Sequence, residues 1–122
     1  MRLLLIDDEE SLLIPMARYF ERLGWSVTTA REREEAEALL EHRAFDVIVL
    51  DLALSGYGLE GLDLLREVRR GCSRSAVLVL SGVVNRDIAE EAMRRGADAV
   101  FAKPQPLGHI AQAATDLLAG RL

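Results

Sequence analysis

The chain predicts an α/β fold: a doubly wound (βα)5 domain, with a five-stranded parallel sheet and helices on both faces. Three observations carry that prediction. Segments with strand character alternate five times with segments of helical periodicity. The runs "LLLI", "VIVL" and "VLVL" are leucine-rich or β-branched and lack polar alternation, the mark of central parallel strands covered on both faces. Gly24, Gly71 and Gly96 stand where helices should stop, each with basic residues in the preceding turn.

The first strand, Arg2–Ile6, contains "LLLI" and ends abruptly at acids. A helix over Ser11–Leu23 follows, with Pro15 inside it. Near the first turn that proline forfeits one backbone hydrogen bond at most, so the helix is kept with room for a kink. Trp25–Thr29 is the second strand and Glu34–His42 the second helix; "REREEAEALLEHR" there reads as a charged face with i,i+4 pairs. Asp46–Leu50 and Gly61–Arg70 make the third unit, Ala76–Leu80 and Arg86–Arg95 the fourth, Ala97–Ala102 and Leu107–Leu118 the fifth. With no repeat, low-complexity tract or linker, residues 1–122 read as one domain.

The 122 residues are half hydrophobic and 29% charged, with a net charge of -5. No basic stripe gathers the arginines on one face, which disfavours nucleic-acid binding. The N-terminal apolar run is too short for a signal peptide, and no segment approaches the ~20 apolar residues of a membrane span. Cys72 is the only cysteine, so neither a disulfide framework nor a thiolate metal cluster is expected. Cytoplasm is the natural compartment.

"DDEE" after the first strand poses a physical problem. Two carboxylates ~4 Å apart repel by about 1 kcal/mol in water and several times more near a protein surface. In open parallel sheets ligands bind outside the carboxyl ends of the strands, near a topological switch point. Those ends carry Asp7 and Asp8, Asp51 after "VIVL", Ser81 after "VLVL" and Lys103 in "VFAKP". Oxygen-rich, sulfur-free and anionic, this set suits a hard divalent cation, most plausibly Mg2+. Lys103 and Ser81 add an ammonium and a hydroxyl facing a carboxylate, which suits a phosphoryl group. Asp51 can act as nucleophile toward phosphorus and form an acyl phosphate. Taken singly, the acids read as helix-entrance charges, Lys103 as a surface lysine and Ser81 as a turn former.

In this order, the paired acids, the single acid, the serine and the Lys-Pro resemble a response regulator receiver domain of the chemotaxis-regulator type, across essentially the whole chain. The resemblance implies a flavodoxin-like fold and two-component signalling. It implies Asp51 as phosphoacceptor, and Mg2+ held by Asp8, Asp51 and the backbone carbonyl of Ala53, with Asp7 acting through a metal-bound water. Lys103 would pair with the acceptor carboxylate and then with phosphoryl oxygens, and Ser81 would move to bond the phosphoryl group. Lys103–Pro104 would be a cis peptide. A sensor histidine kinase would be the phosphodonor, and the domain would catalyse only its own modification. The face of the fourth helix, fifth strand and fifth helix would be the output and possible homodimer surface, carrying Arg86, Glu90, Arg94, Phe101 and Gln105. No effector segment follows Leu122 in this sequence, so output would run through protein contacts or through a longer regulator.

The chain departs from the family pattern in four respects. Val100 stands where an aromatic switch residue is usual, and Phe101, one place later in a strand, faces the other way. Ser55 replaces a proline, and Gly61 comes two places later than the usual glycine, implying a longer Gly-rich loop. Ala53 and Val83 flank the path of a hydrolytic water without polar groups, which predicts slow self-dephosphorylation. Gln105 replaces a common phenylalanine. His42 and His109 read as solvated, Cys72 as inert, and Tyr57 as a partner contact or loop anchor.

Three other functions compete. A receiver-shaped interaction domain that is never phosphorylated fits Val100 and the altered loop. A nucleotide-binding enzyme would need a Gly-rich cradle where "DDEES" instead repels phosphate. A phosphatase using Asp51 would want a second acid where Ala53 stands.

Overall fold

The structure, a computed structural model, describes residues 1–53, 60–71, 74–82 and 84–120. Ser55, Tyr57, Cys72 and Val83 lie outside the described residues. The elements are β1 (Arg2–Ile6), α1 (Glu10–Arg22), β2 (Ser26–Ala30), α2 (Arg33–His42) and β3 (Val47–Leu50). They continue with α3 (Glu60–Gly71), β4 (Ala76–Ser81), α4 (Arg86–Arg94), β5 (Ala99–Ala102) and α5 (Leu107–Ala119). All pairings in the five-stranded sheet are parallel, in the order β2-β1-β3-β4-β5. The doubly wound arrangement is therefore the observed one.

Successive residues of each central strand face opposite ways. Leu4, Ile6, Ile48, Leu50, Val77 and Val79 point to one core, closed by Leu64, Leu65 and Val68 of α3 and Ala92 of α4. Leu3, Leu5, Val47, Val49, Ala76 and Leu78 point to the other, closed by Leu13, Met16 and Phe20 of α1 and by Ile110 of α5. At about 1.5–3 kcal/mol for each large apolar side chain fully buried, the two cores are the main stabilising term. Among the described residues, no helix is long and apolar enough to cross a membrane.

Element ends differ from the sequence expectation where side chains are diverted into turns. Trp25 stacks on Phe20 with ring centroids 4.9 Å apart and donates its N–H to the Phe20 carbonyl, so β2 begins one residue later. Ala97 N–H bonds to the Ala92 carbonyl and Asp98 is engaged by Arg69, so β5 begins at Ala99. Pro15 sits inside α1 on its exposed side. The Ser11 carbonyl that loses a partner there is also on an exposed residue, and water can satisfy it.

Candidate functional site

The chain reverses direction across the sheet between β1 and β3, where β2 lies to one side and β3 to the other. Ile6 pairs with Leu50 in register, so the next residues, Asp7 and Asp51, leave adjacent strands side by side at that switch point. Asp51 N–H donates to the Ile6 carbonyl at 2.9 Å, and Asp7 N–H to the Ala30 carbonyl at 3.0 Å. Farther along, Ser81 pairs with Ala102, and Lys103 N–H donates to the Ser81 carbonyl at 2.9 Å.

This framework brings Asp7, Asp8, Asp51 and Lys103 into one cluster. Lys103 Nζ donates to Asp7 Oδ2 at 2.6 Å and to Asp51 Oδ2 at 3.4 Å, with Glu9 Oε1 at 4.0 Å. The shorter contact is to Asp7, where the resemblance placed the pairing on the acceptor carboxylate. Asp7 Oδ1 accepts from Glu9 N–H at 3.0 Å, and Asp51 Oδ1 from Ala53 N–H at 3.2 Å. Asp7, Asp51 and Ser81 are buried, Asp8 is half-buried, and Ser81 ends β4 beneath the rim. The Lys103–Pro104 peptide is cis.

Charge explains the behaviour of the two central groups. Burial raises the Asp7 carboxyl above its ordinary value, against the hydrogen bonds from Lys103 and Glu9 N–H. For Lys103, burial opposes the ammonium, but the hydrogen bond to Asp7 and the charges of Asp51 and Asp7 outweigh it, and the pKa is raised. The ammonium thus pairs with Asp7 and Asp51, and one carboxylate oxygen from each of Asp7, Asp8 and Asp51 lies within 4.8 Å of the others. Such a donor set, all hard oxygen with an excess of negative charge, fits a divalent cation.

The four acids of "DDEE" divide their work. Asp7 and Asp8 belong to the cluster. Glu9 is the N-cap of α1, its carbonyl accepting from Leu12 and Leu13 N–H. Glu10, in the first turn, pairs with Arg31 at 3.2 Å. Beside the cluster, the stem of Lys103 lines an apolar cavity of about 230 Å³ with Leu12, Pro15, Met16, Leu80 and Leu107. Sequence reading missed it; the outward apolar residue Leu12 was the available signal. Val100 packs into the core on the α4 side, and Phe101 into the core under α1 and α5. His42 and His109 are exposed.

A parallel sheet of this order, with acids and a lysine on the rim at its switch point, is a flavodoxin-like domain with a charged site at its carboxyl end. The chain belongs to the response regulator receiver domain family, whose model it matches over residues 3–115. It is 37% identical over 103 residues to the alginate biosynthesis transcriptional regulatory protein AlgB of Pseudomonas aeruginosa, covering 84% of this chain and 22% of that protein. To the photosynthetic apparatus regulatory protein RegA of Cereibacter sphaeroides it is 33% identical over 112 residues, 91% of this chain and 59% of that one. The chain therefore spans about a fifth to three fifths of these curated relatives. Among solved structures, a response regulator from Burkholderia pseudomallei, with a phosphorylated aspartic acid, calcium ion and citrate, superposes with a TM-score of 0.87 at 32% identity, over 98% of this chain and 71% of that one. A CheY-like receiver domain from Methanospirillum hungatei shares the fold, with a TM-score of 0.91 at 22% identity over 98% of this chain and 94% of the other.

Proposed function

We propose that this receiver domain takes a phosphoryl group onto Asp51 from the phosphohistidine of a sensor histidine kinase, and that the modification alters its protein-binding surface. The observation carrying this reading is Lys103 Nζ bridging Asp7 and Asp51 inside a three-carboxylate cluster. A carboxylate oxygen of Asp51 attacks phosphorus, the phosphorus–nitrogen bond of the donor breaks, and the imidazole leaves with its electron pair. The second Asp51 oxygen keeps its bond from Ala53 N–H, which orients the carboxylate. Lys103 neutralises charge on the transferred oxygens, and Ser81 supplies a hydroxyl donor to one of them.

The donor set fits Mg2+, which Asp8, Asp51 and the Ala53 carbonyl would hold, with Asp7 acting through a bound water. When bound, the ion supplies charge neutralisation at the phosphoryl oxygens. The Burkholderia regulator, whose structure has a phosphorylated aspartic acid and a calcium ion, supports both the acceptor and the divalent cation. The domain works in the cytoplasm, catalyses only its own modification, and signals through the α4–β5–α5 face, by a partner or a second copy. Arg86, Glu90 and Arg94 are exposed on that face, with Phe101 and Gln105 half-buried.

The test is incubation with acetyl phosphate and Mg2+ followed by intact mass. A phosphoryl adduct of ~80 Da is expected on the wild type, lost without the metal and lost in Asp51→Asn. Its decay is expected to take minutes or longer, because Ala53 places no polar side chain on the attacking water. If acetyl phosphate and a phosphorylated kinase both fail to give an adduct, the domain is a constitutive interaction module instead.

Mg2+ alone is expected to stabilise the fold, since a ligand binding only the native state adds about 2.7 kcal/mol at a hundredfold excess over Kd. Thermal melting should then rise by roughly 5–10 °C, and Asp8→Asn should blunt the rise. An unchanged melting temperature at tens of millimolar Mg2+ would remove the metal from this reading.

A further inference from the structure

The apolar cavity beside Lys103 borders the charged cluster and opens between α1 and the start of α5. Leu12 and Pro15 stand three residues apart on α1 and so share one face of it. Pro104, Gln105 and Leu107 line the other side, and the buried Met16 and Leu80 close the bottom. Two lining residues connect the cavity to the cluster. Leu80 immediately precedes Ser81 at the end of β4. Lys103 lines the cavity and carries its Nζ to 3.4 Å from Asp51 Oδ2. Cavity and cluster therefore share one side chain, apolar along its stem and charged at its tip.

Among the described residues lining this cavity, Gln105 is the only polar side chain besides Lys103. By contrast, the cleft between α1 and β2, of about 280 Å³, is edged by Glu10, Arg18, Glu21 and Arg31. An apolar space of roughly 150 Å³ is enough to hold a benzene ring. The cavity, at about 230 Å³, has room for a short hydrocarbon chain. Its lining also restricts the leaving group. No carboxyl, imidazole or phenol among the described lining residues could protonate a departing alkoxide, and the Lys103 ammonium is held by Asp7 and Asp51. A carboxylate leaves as the anion and needs no proton.

We infer that this cavity holds the acyl chain of a small acyl phosphate while the phosphoryl group meets Lys103 and Asp51. The inference rests on Asp51 as phosphoacceptor and names a class of small-molecule donor for it. An Asp51 oxygen attacks phosphorus, and the bond from phosphorus to the acyl carboxyl oxygen breaks. That oxygen keeps the electron pair, and the free carboxylate departs with its chain. Contacts to the chain are the same before and during transfer, so they lower KM and leave the maximal rate nearly unchanged. Each methylene taken out of water is worth a factor of about four in affinity.

The test compares acetyl phosphate with butyryl phosphate on the full chain with Mg2+, following adduct formation by intact mass. The two leaving carboxylates are of nearly equal basicity, so the chemistry is matched and only the chain differs. KM for butyryl phosphate is expected about tenfold below that for acetyl phosphate, with maximal rates within about twofold. Leu12→Gln, on the exposed side of α1, should shrink the KM ratio to within about threefold. Gln105→Leu, which extends the apolar lining, should widen it. Equal KM values for the two donors overturn the inference, as does a ratio that neither variant moves. Labelling by a phosphorylated kinase but by neither acyl phosphate overturns it and leaves Asp51 as phosphoacceptor. No adduct from any donor overturns the phosphoacceptor reading and this inference with it.

Discussion

Lys103→Met is expected to slow phosphoryl uptake about 100-fold at fixed acetyl phosphate and Mg2+, read as the initial rate of adduct formation. Removing one preorganised donor from a site of developing negative charge typically costs that much. In this cluster Lys103 is the ammonium bridging Asp7 and Asp51, so its loss leaves those carboxylates facing an incoming anion with no fixed cation between them. The same change strips the 2.6 Å partner from buried Asp7, so melting curves must accompany the rates to show that the protein remained folded. Lys103→Arg should recover only part of the rate. Its planar guanidinium cannot reproduce a compact ammonium placed between two oxygens. A Lys103→Met rate within about twofold of the wild type would reduce Lys103 to a counter-ion for Asp7.

Gly61→Ala is expected to destabilise the fold by about 2 kcal/mol, measured as a lowered urea midpoint at unchanged slope. On an open helix face the substitution would help, since alanine is the better helix former by about 1 kcal/mol. Here a Cβ would lie 2.5 Å from Leu52 Cα, 2.6 Å from the Asp51 carbonyl oxygen and 2.8 Å from the Leu52 carbonyl oxygen. All three are backbone atoms, so no side chain can swing away. Gly61 N–H also donates to the Leu52 carbonyl at 2.9 Å, which fastens the start of α3 onto the peptide groups that follow Asp51. Phosphoryl uptake should fall with stability, because those groups set the direction of the Asp51 carboxylate. A neutral or stabilising result would show that α3 can shift without strain.

Much of this was legible in the residues. Central strands buried on both faces must be apolar at every position, and "LLLI", "VIVL" and "VLVL" announce that directly. Acids directly after the first and third of them, with Lys103 after the fifth, place charges at one end of any parallel sheet. What the pattern could not supply was register. That Asp7 and Asp51 emerge side by side depends on β1 lying next to β3, a pairing across more than forty residues of chain. Nor could it show that Lys103 sits nearer Asp7 than Asp51, a matter of tenths of an ångström in a folded cluster. The bonds Arg69 makes to the Gly96 and Ser75 carbonyls were invisible for another reason: backbone carbonyls carry no sequence signature. Trp25 and Ala97 read as strand because their side chains are apolar, whereas contacts with α1 and α4 draw both into turns.

Lys103 has one more consequence, for chemistry performed on the protein from outside. Of the fifteen lysine and arginine residues it is the single lysine, so every other fixed side-chain cation is a guanidinium. Acylating reagents, glycating sugars and amine-directed dyes therefore meet no side-chain amine on the surface, and the one that exists is ion-paired and mostly shielded. Conjugation through side-chain amines would thus report on a single position, and its rate would follow how often that ammonium is released from its two carboxylates.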